Sequence, residues 1–202
     1  MDRTNKIIMS GAVGIICLFM TASCASVKTF RSRVIDADTK EPIEGAVVVA
    51  HWYSKRPSII GDGSQLKDVK ETLTDKDGKW SIVGEKGREH PPTYFPIFGV
   101  ATLRYTAEPE FIIFKPGYCS WPNGFSIAAC EKKIKPGGSG EIMEGKTIEL
   151  PKLTKREDRL RAYPSTLSSS SDDPQEEKKT QKKQLEFQRL INEERRNLGL
   201  DN

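Results

Sequence analysis

A chain of 202 residues can hold one domain with extensions, and a hydrophobic share of 36% is low for a purely globular chain of that length, so part of it is not core. The net charge of +4 is the small difference between 32 basic and 28 acidic residues mixed along the chain. That mixing excludes the one-sided basic field that nucleic-acid binding requires, and no nucleic-acid partner is expected.

Residues 1–23 read as an export signal. Arg3 and Lys6 form a short basic start, an apolar run follows from Ile7 to Met20, and Thr21-Ala22-Ser23 precede Cys24. The run is short for a transmembrane helix and no stop-transfer pattern follows it. A Cys directly after Ala-Ser resembles the lipobox of bacterial lipoproteins, although that pattern prefers Leu where Thr21 stands. The resemblance implies that Cys24 carries the lipid (palmitate among its acyl chains) and begins the mature chain, anchored to a membrane without spanning it. The other reading is an ordinary secretory peptide cleaved after Ala22 or Ser23. Ala25 stands where enterobacterial lipoproteins place Asp for inner-membrane retention. The expected address is therefore the outer membrane, facing the periplasm. Residues 24–29 form a tether.

The segment Arg33 to Tyr53 reads as two strands joined by a polar turn, forming a first hairpin. Val34, Ile35 and the run Ala46 to Ala50 are β-branched or small apolar residues, whereas Asp36, Asp38, Thr39, Lys40, Pro42 and Gly45 carry turn chemistry. Because AVVVA is apolar at consecutive positions, it predicts a central strand covered on both faces. Ser54 to Lys67, with Lys55, Arg56, Pro57 and Gly61-Asp62-Gly63-Ser64, predicts an irregular loop. A strand is expected from about Asp68 to Thr74, a turn at Asp75-Lys76-Asp77-Gly78, and a strand from Lys79 to Val83 with Trp80 and Ile82 on one face, together a second hairpin. The D-x-D-G fragment lacks the further oxygen ligands of a calcium loop and reads as turn geometry.

Glu85 to Pro96 is polar and proline-rich and cannot join a sheet interior. Strands are expected at Ile97 to Tyr105 and Phe111 to Phe114, then a breaker at Pro136 to Gly140 and a closing strand at Lys146 to Leu150. V-I-D-A-D-T-K-E-P-I-E-G-A-V-V (Val34 to Val48), T-D-K-D-G-K-W (Thr74 to Trp80) and K-P-G-Y (Lys115 to Tyr118) together resemble the carboxypeptidase regulatory-like domain. The resemblance spans roughly Phe30 to Leu150. It implies an all-β chain whose residues 30–151 form a transthyretin-like β-sandwich of about seven strands. Lys40 stands where that family commonly has Gly, and Ser54 to Lys67 and Glu85 to Pro96 look like insertions. The family's module accompanies a separate zinc catalytic domain in metallocarboxypeptidases, and that domain's ligands are missing here.

Export leaves Cys119 and Cys130 as a pair in an oxidising compartment. Pro122-Asn123-Gly124 between them can return the ends toward each other, so a disulfide is predicted. Closing a loop of that size contributes about 3 kcal/mol in the chain-entropy model. The spacing is not CxxC and neither His is near it in sequence, which disfavours a metal or redox site.

His51 and His90 are the two histidines of the chain, and no H-E-x-x-H, G-x-S-x-G, Walker loop or GxGxxG is present. No enzyme, cofactor or metal is expected. The alternative of a small envelope hydrolase would need a pocket gathering His51 or His90 with carboxylates. A binding module has more candidates: Trp52 and Tyr53 at a strand end, Trp121 at a loop tip, and Tyr94 with Phe95 are aromatics a rigid sandwich could present to a glycan or an envelope protein. The plainer reading of the same rings is core packing.

Composition changes after Pro151. Residues 152–173 read as a charged segment and a Ser-rich linker, PSTLSSSSDD. Asp173-Pro174-Gln175-Glu176 is a helix start and Asn197-Leu198-Gly199 a stop, predicting one helix over 174–199, about 38 Å long. Its apolar stripe is narrow. Either the helix is a solvated extension, or Phe187, Leu190, Ile191 and Leu198 dock on an envelope partner or another copy.

Overall fold

The computed structural model describes residues 27–56, 63–85, 105–122, 130, 145–162, 178 and 180–200. The predicted signal peptide with Cys24, His90, Tyr94, Phe95 and the Ser-rich linker lie outside the described residues. Among the described residues the elements follow in order: β1 (Thr29–Asp36), β2 (Val47–Arg56), β3 (Gly63–Leu73), β4 (Lys79–Val83), β5 (Tyr105–Thr106), β6 (Glu110–Phe114), β7 (Thr147–Leu150), α1 (Arg156–Ala162) and α2 (Leu185–Asn197). These strands form two sheets. One has the order β4-β1-β7, with β1 antiparallel to β4 and parallel to β7; in the other, β2 lies between β3 on one side and β5 and β6 on the other, all antiparallel.

Both expected hairpins are corrected. β1 and β2 lie in different sheets, as do β3 and β4, so the polar connections after Asp36 and around Asp75–Gly78 cross from one sheet to the other. Turn residues encode a reversal, but core burial decides which strand is then met. The crossings are tied together by Thr74: its N–H donates to Ala46 O at 2.9 Å, its hydroxyl donates to Ile43 O at 2.6 Å, and the same hydroxyl accepts from Ala46 N–H at 2.8 Å. Gly78 has φ +73°, and a Cβ there would lie 2.2 Å from Val34 O, so only glycine fits this approach of the turn to β1.

The hairpin in this region is β2–β3, where an irregular loop was expected. Tyr53, Ser54, Lys55 and Arg56 pair with Leu66, Gln65, Ser64 and Gly63 beyond a register shift at Trp52/Tyr53. Backbone pairing needs no apolar side chain, so the ladder continues through residues whose polarity reads as loop.

β2 occupies the centre, as its consecutive apolar run predicts. Val48, Ala50 and Trp52 face a core shared by both sheets with Phe30, Val34, Trp80, Ile82, Phe111, Ile113, Ile148 and Leu150. Phe30 meets Phe111 at 5.3 Å and Trp80 meets it at 5.4 Å, rings from opposite sheets packed edge-on or tilted. Val47 and Val49 point the other way and are buried with Val69, Phe114, Phe187, Leu190 and Ile191. The second cover of β2 is therefore the chain's own C-terminal helix.

The tail departs from its predicted outline in two places. Charged residues 156–162 form α1, and the helix expected over 174–199 is interrupted at 182–184, with Gln184 (φ −127°, ψ 43°) ahead of α2. The predicted stop holds: Gly199 at φ +67° closes α2, with Leu200 N–H donating to Arg195 O and Gly199 N–H to Arg196 O, each at 3.0 Å.

Candidate functional site

Strand alternation on β1 buries Ser32 and Val34 and turns Arg31 and Arg33 to solvent. Arg33 lies opposite Lys79 of β4 and Thr147 of β7, and Lys146 enters β7 beside it. These four cations rim an open cleft of about 610 Å3, with Asp75 and Trp80 also among its lining residues. The Asp75 carboxylate is drawn into its turn, where Oδ1 accepts from Asp77 N–H at 2.9 Å and Lys79 N–H at 2.8 Å. Arg33 Nε donates to Asp77 O at 2.8 Å. Lys146 is fixed by its backbone, since its carbonyl accepts from the Ser32 hydroxyl and from Arg33 N–H. The indole Nε1 of Trp80 is the single buried side-chain polar atom without a hydrogen bond among the described residues. Sequence reasoning missed this cleft, because its cations come from β1, β4 and the residue that precedes β7; the one local signal is Arg31-x-Arg33 on a strand whose other face is apolar.

The aromatic residues expected to meet a ligand are placed otherwise. Trp52 is 2% exposed and packs against Phe30 on one side, while Lys70 Nζ sits 5.4 Å from its ring centre. Trp121 is 4% exposed, and its backbone exchanges hydrogen bonds with Ile113. Both tryptophans are thus corrected from ligand contacts to core residues, because the sheet face on which each lies is covered. Tyr53 is half-buried beside β6; burial, followed by the Glu110 charge, raises its phenol pKa.

Cys119 and Cys130 form the predicted disulfide, with Cα atoms 5.9 Å apart and both residues in the shared core. No group of three or more His, Cys, Asp or Glu side chains among the described residues is placed to hold a metal ion. No described helix is long and apolar enough to cross a membrane.

His51 follows Val47 and Val49 on the face of β2 that α2 covers, and is 3% exposed. Gln184 Nε2 lies 3.0 Å from its Nε2, and the Glu110 backbone bonds the ring as well. The neutral tautomer that satisfies both carries its proton on Nδ1 and accepts from the Gln184 amide. Burial lowers its pKa to about 4, against the opposing bond to Glu110. His51 thus serves as the sheet's polar latch for the tail. Beside it, Glu71 accepts from Glu186 N–H at 2.8 Å and Phe187 N–H at 3.0 Å, capping α2 from another strand. Helical periodicity alone could not reveal this contact, since the apolar stripe of Phe187, Leu190, Ile191 and Leu198 fits any apolar surface. These four residues, predicted to meet a partner, are buried within the chain itself.

The His51 shift fixes a pH dependence. The unfolded chain takes a proton near pH 6.5 that the folded chain refuses until about pH 4, so stability is complete above 6.5 and declines as pH falls toward 4. Between pH 7.5 and 5.0 the urea midpoint should drop by the equivalent of about 2 kcal/mol, and His51→Gln should flatten that slope. An unchanged slope in the variant removes His51 as its source. Asp36 acts in a lower window. Burial works to raise its pKa, but the Thr39 and Asp38 amides, the Tyr118 hydroxyl and the Lys152 charge together lower it, so its contribution is lost only as pH falls below the ordinary Asp range.

The fold and cleft define the class of this chain as a β-rich, two-sheet domain with a docked helical tail. No protein-family model and no curated protein matches the chain.

Proposed function

We propose that this is a lipid-anchored cell-envelope protein whose carboxypeptidase regulatory-like, transthyretin-like β-sandwich is a non-catalytic binding or scaffolding module. The observation that carries the binding reading is the open, cation-rimmed cleft on a doubly covered scaffold. Rigid sheets with a concave surface hold ligand-contacting side chains at low entropic cost. The family reading draws support from the convergence of its three motifs on one end of β1. Asp36 accepts from the Tyr118 hydroxyl at 3.2 Å, and Val34 N–H donates to Gly78 O at 2.8 Å. Lys40, where the family has Gly, has φ +63°, the backbone conformation that glycine adopts without cost.

The envelope address rests on the basic start, the apolar run and Cys24. Against the hydrolase alternative, both ring nitrogens of His51 are engaged by the chain itself. The test is palmitate labelling in cells together with crosslinking and identification of partners. Label lost in Cys24→Ser, with a specific crosslinked envelope partner for the wild type, supports the reading. Retention of residues 1–23 on an unlabelled, cytoplasmic protein overturns it.

A further inference from the structure

We infer that the cleft bounded by β1, β4 and the start of β7 is a binding site for an anionic ligand that presents a phosphate or carboxylate group. This deepens the binding-module reading and rests on it. The cleft has the volume of a small-molecule site, about 610 Å3. Its charge is local: the whole chain carries a net charge of only +4 from mixed acids and bases, yet Arg31, Arg33, Lys79 and Lys146 meet here around one carboxylate already occupied by its own turn.

Two of the four cations are already engaged. Arg33 donates to the Asp77 carbonyl, and Lys79 Nζ lies 3.8 Å from the Asp77 carboxylate. Arg33 and Lys79 are directly opposed on neighbouring strands, an arrangement that like charges disfavour and that a bound anion relieves. Arg31 and Lys146 have no acidic partner among the described residues, and both side chains are exposed. Arg31 and Arg33 project from the same face of one strand about 7 Å apart, a spacing at which two planar guanidinium groups can bracket one phosphate or carboxylate.

Trp80 marks the cleft floor. The residue lies between Lys79 and Ser81 on β4 and is among those lining the cleft, while its indole faces the core against Phe111. Its backbone amide is therefore a reporter for a ligand held at the cation rim, one that neither Trp52 nor Trp121 shares.

The experiment uses the soluble mature chain with 15N-labelled tryptophan, and the backbone amide resonance of Trp80 is assigned with Trp80→Phe. Pyrophosphate and citrate are titrated to about 10 mM, a range that captures millimolar sites. In a parallel arm, phosphatidylcholine vesicles with and without phosphatidylglycerol are tested by co-sedimentation. The expected result is a saturable shift of the Trp80 resonance alone. In Arg31→Gln/Lys146→Gln the affinity should fall about tenfold or more, because two charge-assisted contacts are lost. Both residues are exposed, so the variant should keep its circular dichroism spectrum. A response to soluble anions assigns a free ligand. A response confined to phosphatidylglycerol vesicles, and lost in the variant, assigns a lipid headgroup. No saturable response in either arm, equal binding by the variant, or simultaneous shifts of all three tryptophans overturns the site. Failure here with a specific crosslinked partner in cells would refute the anion and leave the module standing.

Discussion

Removal of everything after Tyr163 should produce a chain that is no longer a well-folded monomer. The face of β2 carrying Val47 and Val49, with Val69 of β3 and Phe114 of β6, is covered by Phe187, Leu190 and Ile191 of α2. Phe114 and Phe187 stack edge to face with centroids 6.1 Å apart. Losing the helix uncovers a contiguous apolar patch on a central strand, the kind of surface that drives association in a monomer. It also strips the Gln184 amide from His51 and the two α2 amides from Glu71. Phe187→Ala isolates the packing contribution and should cost about 3–5 kcal/mol in urea unfolding, the range for an aromatic ring deleted from a closed core. The truncated chain should elute as aggregate or oligomer in size-exclusion chromatography. A monomeric truncation with an unchanged urea midpoint would refute a structural role for the tail.

The sequence carried the double burial of β2 openly, because an unbroken apolar run cannot be satisfied by one covered face. It did not name the second cover. Phe187, Leu190, Ile191 and Leu198 mark one side of a helix, but the same side includes Glu194, whose charge narrows the apparent stripe, while Leu185, equally apolar, is exposed. The partner of Glu194 lies in α1, in a charged stretch with no apolar period. Sheet membership was hidden for a related reason. The EPIEG and DKDG segments specify reversals through local backbone chemistry, whereas the assignment of β1 to one sheet and β2 to the other depends on side chains tens of residues away, such as Phe111 and Leu150. The cleft is a product of that long-range pairing. Parallel association of β7 with β1 delivers Lys146 to Arg31 and Arg33 across more than a hundred residues of chain.

Arg159→Ala should destabilise the protein by about 3–5 kcal/mol, more than a surface ion pair could account for. Arg159 Nε donates to Glu194 Oε1 at 2.8 Å and its Nη2 to Oε2 at 2.6 Å, a two-pronged contact between α1 and α2. The partners are unequally placed: Glu194 is 2% exposed as a residue, while Arg159 keeps about a quarter of its side chain in water. Deleting the arginine therefore strands a carboxylate in the interior, whereas deleting the glutamate leaves a cation that solvent can still reach. Arg156 reinforces the clamp through Nε and Nη2, which donate to Leu198 O at 3.2 and 2.7 Å and satisfy a carbonyl at the end of α2. If stranding is the cause, Arg159→Met/Glu194→Leu should recover most of the loss in urea unfolding, since neither apolar replacement needs a counter-charge. Equal losses in the single and double variants would instead assign the effect to helix packing at Ala162 and Leu198, and a loss below about 1 kcal/mol in Arg159→Ala would mean that water reaches Glu194 without the arginine.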